Sequence, residues 1–223
     1  MTRSRYVLLT SGWLIAACTG LALAQSGAQS TAAKPLVTLQ MPALPDPVPV
    51  TVKAATTALL VFDMVDPICT TQPKCMTTMV PAVTSLLAKA RSASVFVLYS
   101  TRGPTLSKWI AQVAPASGDP VMQSYGQDRF YNTDLDKILK DKGITTLILA
   151  GWKVSGSVTY TSVGATARGY TVVVPQDASL ATTDYETAIG VFQILNQISA
   201  NATNDPLKAK TSTLSRTDMI TIQ

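Results

Sequence analysis

The sequence predicts an α/β fold in which a mostly parallel sheet is wrapped by helices on both faces, a three-layer α/β/α, Rossmann-like arrangement. Three observations predict it. Short, nearly continuous apolar runs recur along the chain (TALLVF, SVFVLY, TLILA, YTVVV), as expected of strands buried on both faces. Between these runs lie segments whose apolar residues repeat at helical spacing. The two patterns alternate, which is the order of βαβ units and of a parallel sheet. The chain has 223 residues and is 47% hydrophobic, enough for one well-filled domain.

The amino-terminal 53 residues read as segments outside that domain. Arg3 and Arg5 precede an uncharged apolar stretch over 6–24 that ends in Ala22-Leu23-Ala24, a small-x-small cleavage pattern. Residues 1–24 are therefore expected to be a secretory signal, placing the protein outside the cell or in a periplasm. Ile15-Ala16-Ala17-Cys18 also fits a lipoprotein box, so a lipid anchor at Cys18 stands as the alternative. Ser11, Gly12 and Thr19 interrupt the stretch and argue against an uncleaved span. Residues 25–34 (QSGAQSTAAK) form a small, polar leader, and 35–52 a proline-rich arm expected to pack on the domain edge. The domain is expected over 54–223.

Within it, 57–64 (TALLVFDM) reads as the first strand, with Asp63 at its carboxyl end. Pro81 suits a first helical turn, and Val83, Leu86, Leu87 and Ala90 follow at helical spacing. The second strand is predicted over 94–99 and a shorter third over 120–124. Asn132 or Thr133 can cap a helix with Leu135, Ile138 and Leu139 on its apolar face and Gly143 as its stop. The apolar run 147–150 predicts a fourth strand, followed by a turn bracketed by Gly151 and Gly156 and then a helix with Ser157 at its start. Residues 170–174 give a fifth strand. Ala188, Phe192, Leu195 and Ile198 mark the apolar face of a last helix, and 210–222 a strand pair or a strand and turn.

Composition removes whole classes of chemistry. The chain contains no histidine, which excludes a Ser-His-Asp triad, a Cys-His dyad and every histidine-containing metal site. Without Arg3 and Arg5, 16 basic residues face 13 acidic ones, a formal charge of +3 with no basic cluster, so nucleic acid is not an expected partner. Cys69 and Cys75, separated by TTQPK, are expected to form a disulfide in an oxidising compartment, with a two-cysteine metal site as the less favoured reading.

Chemistry in a parallel sheet gathers outside the carboxyl ends of the strands, where the strand order reverses. Asp63 and Ser157, 94 positions apart, are both expected there. Ser157 at a helix start would stand beside unpaired backbone N–H groups able to receive an oxyanion. Trp152 and Tyr160 are candidate pocket walls, with core packing the alternative for each.

TALLVFDM, DRFYNTDLDKILKDKGITTLILAG and TARGYTVVVPQDAS, in this order over roughly 54–222, resemble the isochorismatase-like (cysteine hydrolase) superfamily, which includes nicotinamidases and isochorismatases. The resemblance implies a six-stranded parallel sheet, a small-molecule substrate, no cofactor, and a tendency to form homo-oligomers. It implies that Asp63 is a catalytic acid or base. It also implies a cis peptide between Trp152 and Lys153, with the N–H groups of Lys153 and Ser157 as oxyanion donors. Ser157 occupies the position of the family's nucleophilic cysteine. The family's catalytic lysine falls near Ser124 in MQSYGQDRF, leaving Arg129, beside Phe130, as the nearest cation. The resulting candidate set is Asp63, Ser157 and Arg129 for catalysis, with Ser124, Phe130, Trp152, Lys153 and Tyr160 contacting substrate. Isochorismatases proper lack the cysteine and cleave a vinyl ether with the aspartate as general acid, which fits a serine at 157. A hydrolase and a non-catalytic relative that binds a small ligand or a protein partner are the two functional expectations.

Overall fold

The strands predicted as continuous apolar runs lie at the centre of the sheet. The computed structural model describes residues 38, 40–103, 108–197 and 212–223. The elements, in chain order, are β1 (Val50–Val52), β2 (Thr57–Phe62), α1 (Val80–Ser92), β3 (Phe96–Arg102), β4 (Val121–Ser124), α2 (Leu135–Asp141), β5 (Thr146–Gly151), α3 (Thr159–Ala167), β6 (Thr171–Pro175), α4 (Asp184–Leu195), β7 (Ser212–Ser215) and β8 (Ile220–Ile222). Six of the strands form one all-parallel sheet in the order β4-β3-β2-β5-β6-β7. All six residues of β2, one of the two central strands, are buried.

Alternation along the strands divides the core into two layers. Leu59, Val61, Val97, Tyr99, Ile148, Ala150 and Val173 point to one face, where they meet Val83, Leu86, Leu87 and Ala90 of α1. Ala58, Leu60, Phe62, Leu98, Leu147, Leu149, Val172 and Val174 point to the other, against Leu135 and Leu139 of α2, Ala165 of α3 and Val191 and Ile194 of α4. The result is the expected three-layer α/β/α architecture with a six-stranded sheet. The proline-rich arm joins the fold through β1, which pairs in parallel with β8, and through the Val48 N–H, which donates to the Leu214 carbonyl at 3.0 Å.

Several boundaries depart from the sequence reading. The second strand starts at Phe96 and not Ser94, because Ser94 has a φ of 58° and closes the turn after α1. That strand also continues to Arg102, beyond the expected Tyr99. The cap position of helix α2 is Asp134, one residue after Thr133 and two after Asn132, and it makes no side-chain cap bond among the described residues. Thr133 Oγ1 instead donates to the Arg129 carbonyl at 2.6 Å while accepting from the Leu135 N–H. The buried face of α4 is Thr187, Gly190, Val191 and Ile194, whereas Phe192 is exposed. The small residues face inward because α4 lies so close to the turn after β5 that a Cβ on Gly190 would stand 2.8 Å from the Ser155 nitrogen. The expected signal segment and Ile198 lie outside the described residues.

The sheet's switch point lies between β2 and β5, since the chain builds β3 and β4 on one side of β2 before crossing to β5 on the other. Phe62 and Gly151 are register partners at the carboxyl ends of this pair. Gly151 has a φ of 114°, and a Cβ there would meet the Phe62 carbonyl oxygen at 2.1 Å, so only glycine lets β5 end this close to β2.

Candidate active site

Asp63 directly follows β2 and has a φ of 50°, a left-handed conformation that aspartate tolerates better than most residues. Its N–H donates to the Ser100 carbonyl at 3.0 Å, holding the turn against β3. Asp63 is 5% exposed, and its carboxylate is surrounded by donors. The Arg102 N–H donates to Oδ1 at 2.9 Å, and Oδ2 accepts from Arg129 Nη2 and from Ser157 Oγ, the latter at 3.0 Å.

Ser157 lies in a wide helical turn, Val154–Val158, between β5 and α3. Two contacts hold this turn to the rest of the fold. The Val154 N–H donates to the Leu180 carbonyl at 3.0 Å, and Thr159 Oγ1 donates to the carbonyls of Val154 and Gly190. The peptide between Trp152 and Lys153 is cis. The N–H groups of Trp152, Val154, Gly156 and Val158 are used in backbone bonds, while that of Lys153 has no acceptor among the described residues.

Arg129 connects the two sides of the site. Its side chain is fully buried, and Nη2 donates both to Asp63 Oδ2 and to Ser157 Oγ, the latter at 2.8 Å. Nη1 donates to the Gly126 carbonyl at 3.1 Å, and the guanidinium carbon lies 5.5 Å from the centre of the Phe62 ring. The backbone of Arg129 is fixed as well, with its N–H donating to Thr161 Oγ1 at 3.1 Å and its carbonyl accepting from Thr133. Burial lowers the pKa of Arg129 from its ordinary value, an effect that the Asp63 charge opposes and the Arg102 charge reinforces. The pair is thus an ionic one at low exposure, with further hydrogen bonds on both partners, while the buried Arg129 Nε has no acceptor among the described residues.

These groups form the floor of a cavity of about 300 Å³ lined by Asp63, Ile68, Arg102, Gln127, Trp152, Lys153 and Ser157. Ile68, the residue directly before the Cys69–Cys75 disulfide loop, reaches it as well. Gln127 Oε1 lies 3.1 Å from Ser157 Oγ; the single hydroxyl proton can serve Asp63 or Gln127, not both at once. Lys153 Nζ pairs at 2.5 Å with Glu186 in the first turn of α4, and that bond holds the Glu186 carboxyl below its usual pKa.

The structure therefore brings together Asp63, Ser157, Arg129, Trp152 and Lys153. Three other candidates stand apart from the cavity lining. Ser124 Oγ donates to the Gly126 carbonyl at 3.1 Å, the same oxygen that accepts from Arg129, so it supports the Arg129 loop from behind. Phe130 packs in the core, stacked on Tyr170 with ring centres 5.8 Å apart. Tyr160 is 53% exposed on the outer side of α3. Arg102, Gln127 and Ile68 were not among the sequence candidates. Arg102 could have been found by extending the second strand to its carboxyl end, where ligands of such sheets bind. Among the described residues there is no group of three or more histidine, cysteine, aspartate or glutamate side chains that could hold a metal, and no helix is long and apolar enough to cross a membrane.

Comparison with known proteins places the chain in a family. Residues 57–203 match the model of the isochorismatase domain. The chain belongs to the isochorismatase family. The secreted isochorismatase effector Isc1 of Verticillium dahliae is 27% identical to it over 109 residues, 44% of this chain and 57% of that protein. Maleamate amidohydrolase of Pseudomonas putida is 29% identical over 75 residues, 34% of this chain and 35% of that enzyme. The aligned stretches thus span little more than half of the first relative and about a third of the second. Among solved structures, N-carbamoylsarcosine amidase of Thermoplasma acidophilum covers 73% of the chain with 97% of its own length, at a TM-score of 0.59 and 24% identity. An isochorismatase family protein from Burkholderia thailandensis gives a TM-score of 0.63 at 20% identity, covering 78% of this chain and 96% of its own. At these identities the structures establish the shared isochorismatase-like fold. Members of the family act on small molecules.

Proposed function

We propose that this isochorismatase-family chain is a secreted or periplasmic hydrolase of a small molecule, with Asp63 as its acid/base and the turn from Trp152 to Ser157 as its oxyanion site. The observation that carries this reading is the position of Arg129, whose Nη2 bonds both Asp63 and Ser157. A buried cation is thereby held between a carboxylate and a hydroxyl at the floor of the cavity. The secreted fungal relative and the disulfide favour the extracytoplasmic location.

Asp63 is surrounded by donors and is arranged to accept a proton from an attacking hydroxyl and return it to the leaving group. Negative charge developing on a substrate oxygen would find the N–H groups of Lys153 and Ser157 as donors already fixed by the turn. Arg129 keeps both polar groups oriented without a histidine. The test is turnover of a panel of aryl esters, amides and vinyl ethers by the native chain and by Asp63→Asn. The expected loss in the variant is about 100-fold or more, the scale of a missing general acid or base. Equal turnover in both proteins would overturn the mechanism.

A second reading, a non-catalytic ligand-binding relative, draws support from the same ion pair, because a carboxylate engaged by three donors also suits a fixed binding cradle. It is favoured if the native chain turns over no member of the panel yet binds its carboxylate products.

A further inference from the structure

The charges around the cavity are not balanced. Four charged residues lie in its wall or directly behind it: Asp63, Arg102, Lys153 and Arg129. Asp63 and Arg129 neutralise each other, and Lys153 is paired with Glu186 at 2.5 Å. Arg102 also lines the cavity, but among the described residues its guanidinium has neither an ion pair nor a hydrogen bond; only its backbone N–H is engaged, on Asp63 Oδ1. One cation thus faces the cavity without a counter-ion.

We propose that Arg102 is a substrate anchor that selects small molecules bearing one carboxylate. A guanidinium matches a carboxylate with two parallel N–H bonds, a geometry that a point charge does not provide. One unpaired cation matches one negative charge, whereas a second anionic group would lie against Asp63. The remaining walls limit the body of the ligand. Ile68 and Trp152 supply apolar surface, and about 300 Å³ is at the small end of ligand pockets. Because the Arg102 N–H is bonded to the Asp63 carboxylate, the carboxyl ends of β3 and β2 are tied together at the cavity and the anchor stands beside the proposed acid/base. Arg102 and Ser157 line the same small cavity, so a short molecule whose carboxylate is seated on Arg102 can present its other end to Ser157. The expected class is a monocarboxylate with a hydrolysable bond a few atoms from the acid group.

This anchor rests on the site being a substrate site, so its test measures binding and not turnover. The full chain is titrated calorimetrically with benzoate and propionate and with their uncharged amides, benzamide and propionamide. Each acid is expected to bind at least about tenfold more tightly than its amide, with affinity falling as salt is raised. Arg102→Gln should abolish the preference and Arg102→Lys should retain part of it; an unchanged melting temperature in both variants shows that the fold is intact. Equal affinity for acid and amide, no binding of either acid, or an unaltered preference in Arg102→Gln would overturn the anchor. The two proposals fail separately. Carboxylate binding without turnover of the ester, amide and vinyl ether panel leaves the anchor standing without the hydrolase, and turnover that ignores a carboxylate on the substrate leaves the hydrolase without the anchor.

Discussion

Arg129 is the residue on which the geometry of the site depends. A guanidinium with no exposed surface is costly to desolvate, and that cost is offset by Asp63, the Gly126 carbonyl, the Ser157 hydroxyl and the face of Phe62. Removing one partner of such a pair strands the other. Arg129→Met and Asp63→Asn are each expected to destabilise the protein by about 3–5 kcal/mol in urea unfolding, and the double variant by clearly less than their sum. Strict additivity would show that the pair carries no coupling. Asp63, Ser157 and Arg129 were legible in the sequence because two of them end or follow buried strands and the third is the nearest cation to an expected charge. Arg102 was not, because the apolar run of its strand stops at Tyr99 while the hydrogen-bonded ladder continues through Ser100 and Thr101.

At the scale of elements, α4 and the turn after β5 are joined at Glu186. Its Oε2 accepts from the Thr183 N–H while Thr183 Oγ1 accepts from the Glu186 N–H, a capping box, and its Oε1 takes Lys153 Nζ from the cavity wall. The Lys153 bond lowers the Glu186 pKa, so the sign of the pH effect follows. A depressed carboxyl contributes its stabilisation fully above the unfolded glutamate value of about 4.3 and loses it as the pH falls through the lower folded value. Melting temperatures between pH 7 and pH 3 should show an acid-side decline that is smaller in Glu186→Gln; identical profiles would remove Glu186 from the acid response. The Thr-x-x-Glu pattern at 183–186 was readable in the sequence, but its link to Lys153 was not, because 33 positions separate the two. The wrong face assigned to α4 has a related cause. Periodicity weights large residues such as Phe192, while the helix packs through Gly190, where the absence of a side chain allows the approach.

Over the whole molecule, the sheet provides the platform and the disulfide fixes the segment that follows Ile68 in the core. Cys69 and Cys75 are 6 positions apart, and in the chain-entropy account closing so short a loop contributes about 2 kcal/mol. A Cys69→Ser/Cys75→Ser variant should lose about that much stability, and reductant should lower the melting temperature of the native chain but not of the variant. Insensitivity of the native chain to reductant would overturn this. The fold class, the strand order of events along the chain, the absence of histidine chemistry and the positions of Asp63 and Ser157 are all determined by the sequence alone, since they follow from local pattern and composition. Only the tertiary structure decided that Arg129 reaches both of those residues, that Lys153 is already paired, and that Arg102 faces the cavity with its guanidinium unpaired among the described residues. The physical reason is that hydrophobic periodicity fixes which face of an element is buried, whereas the pairing of long charged side chains depends on how distant segments meet, and that is settled by packing between layers.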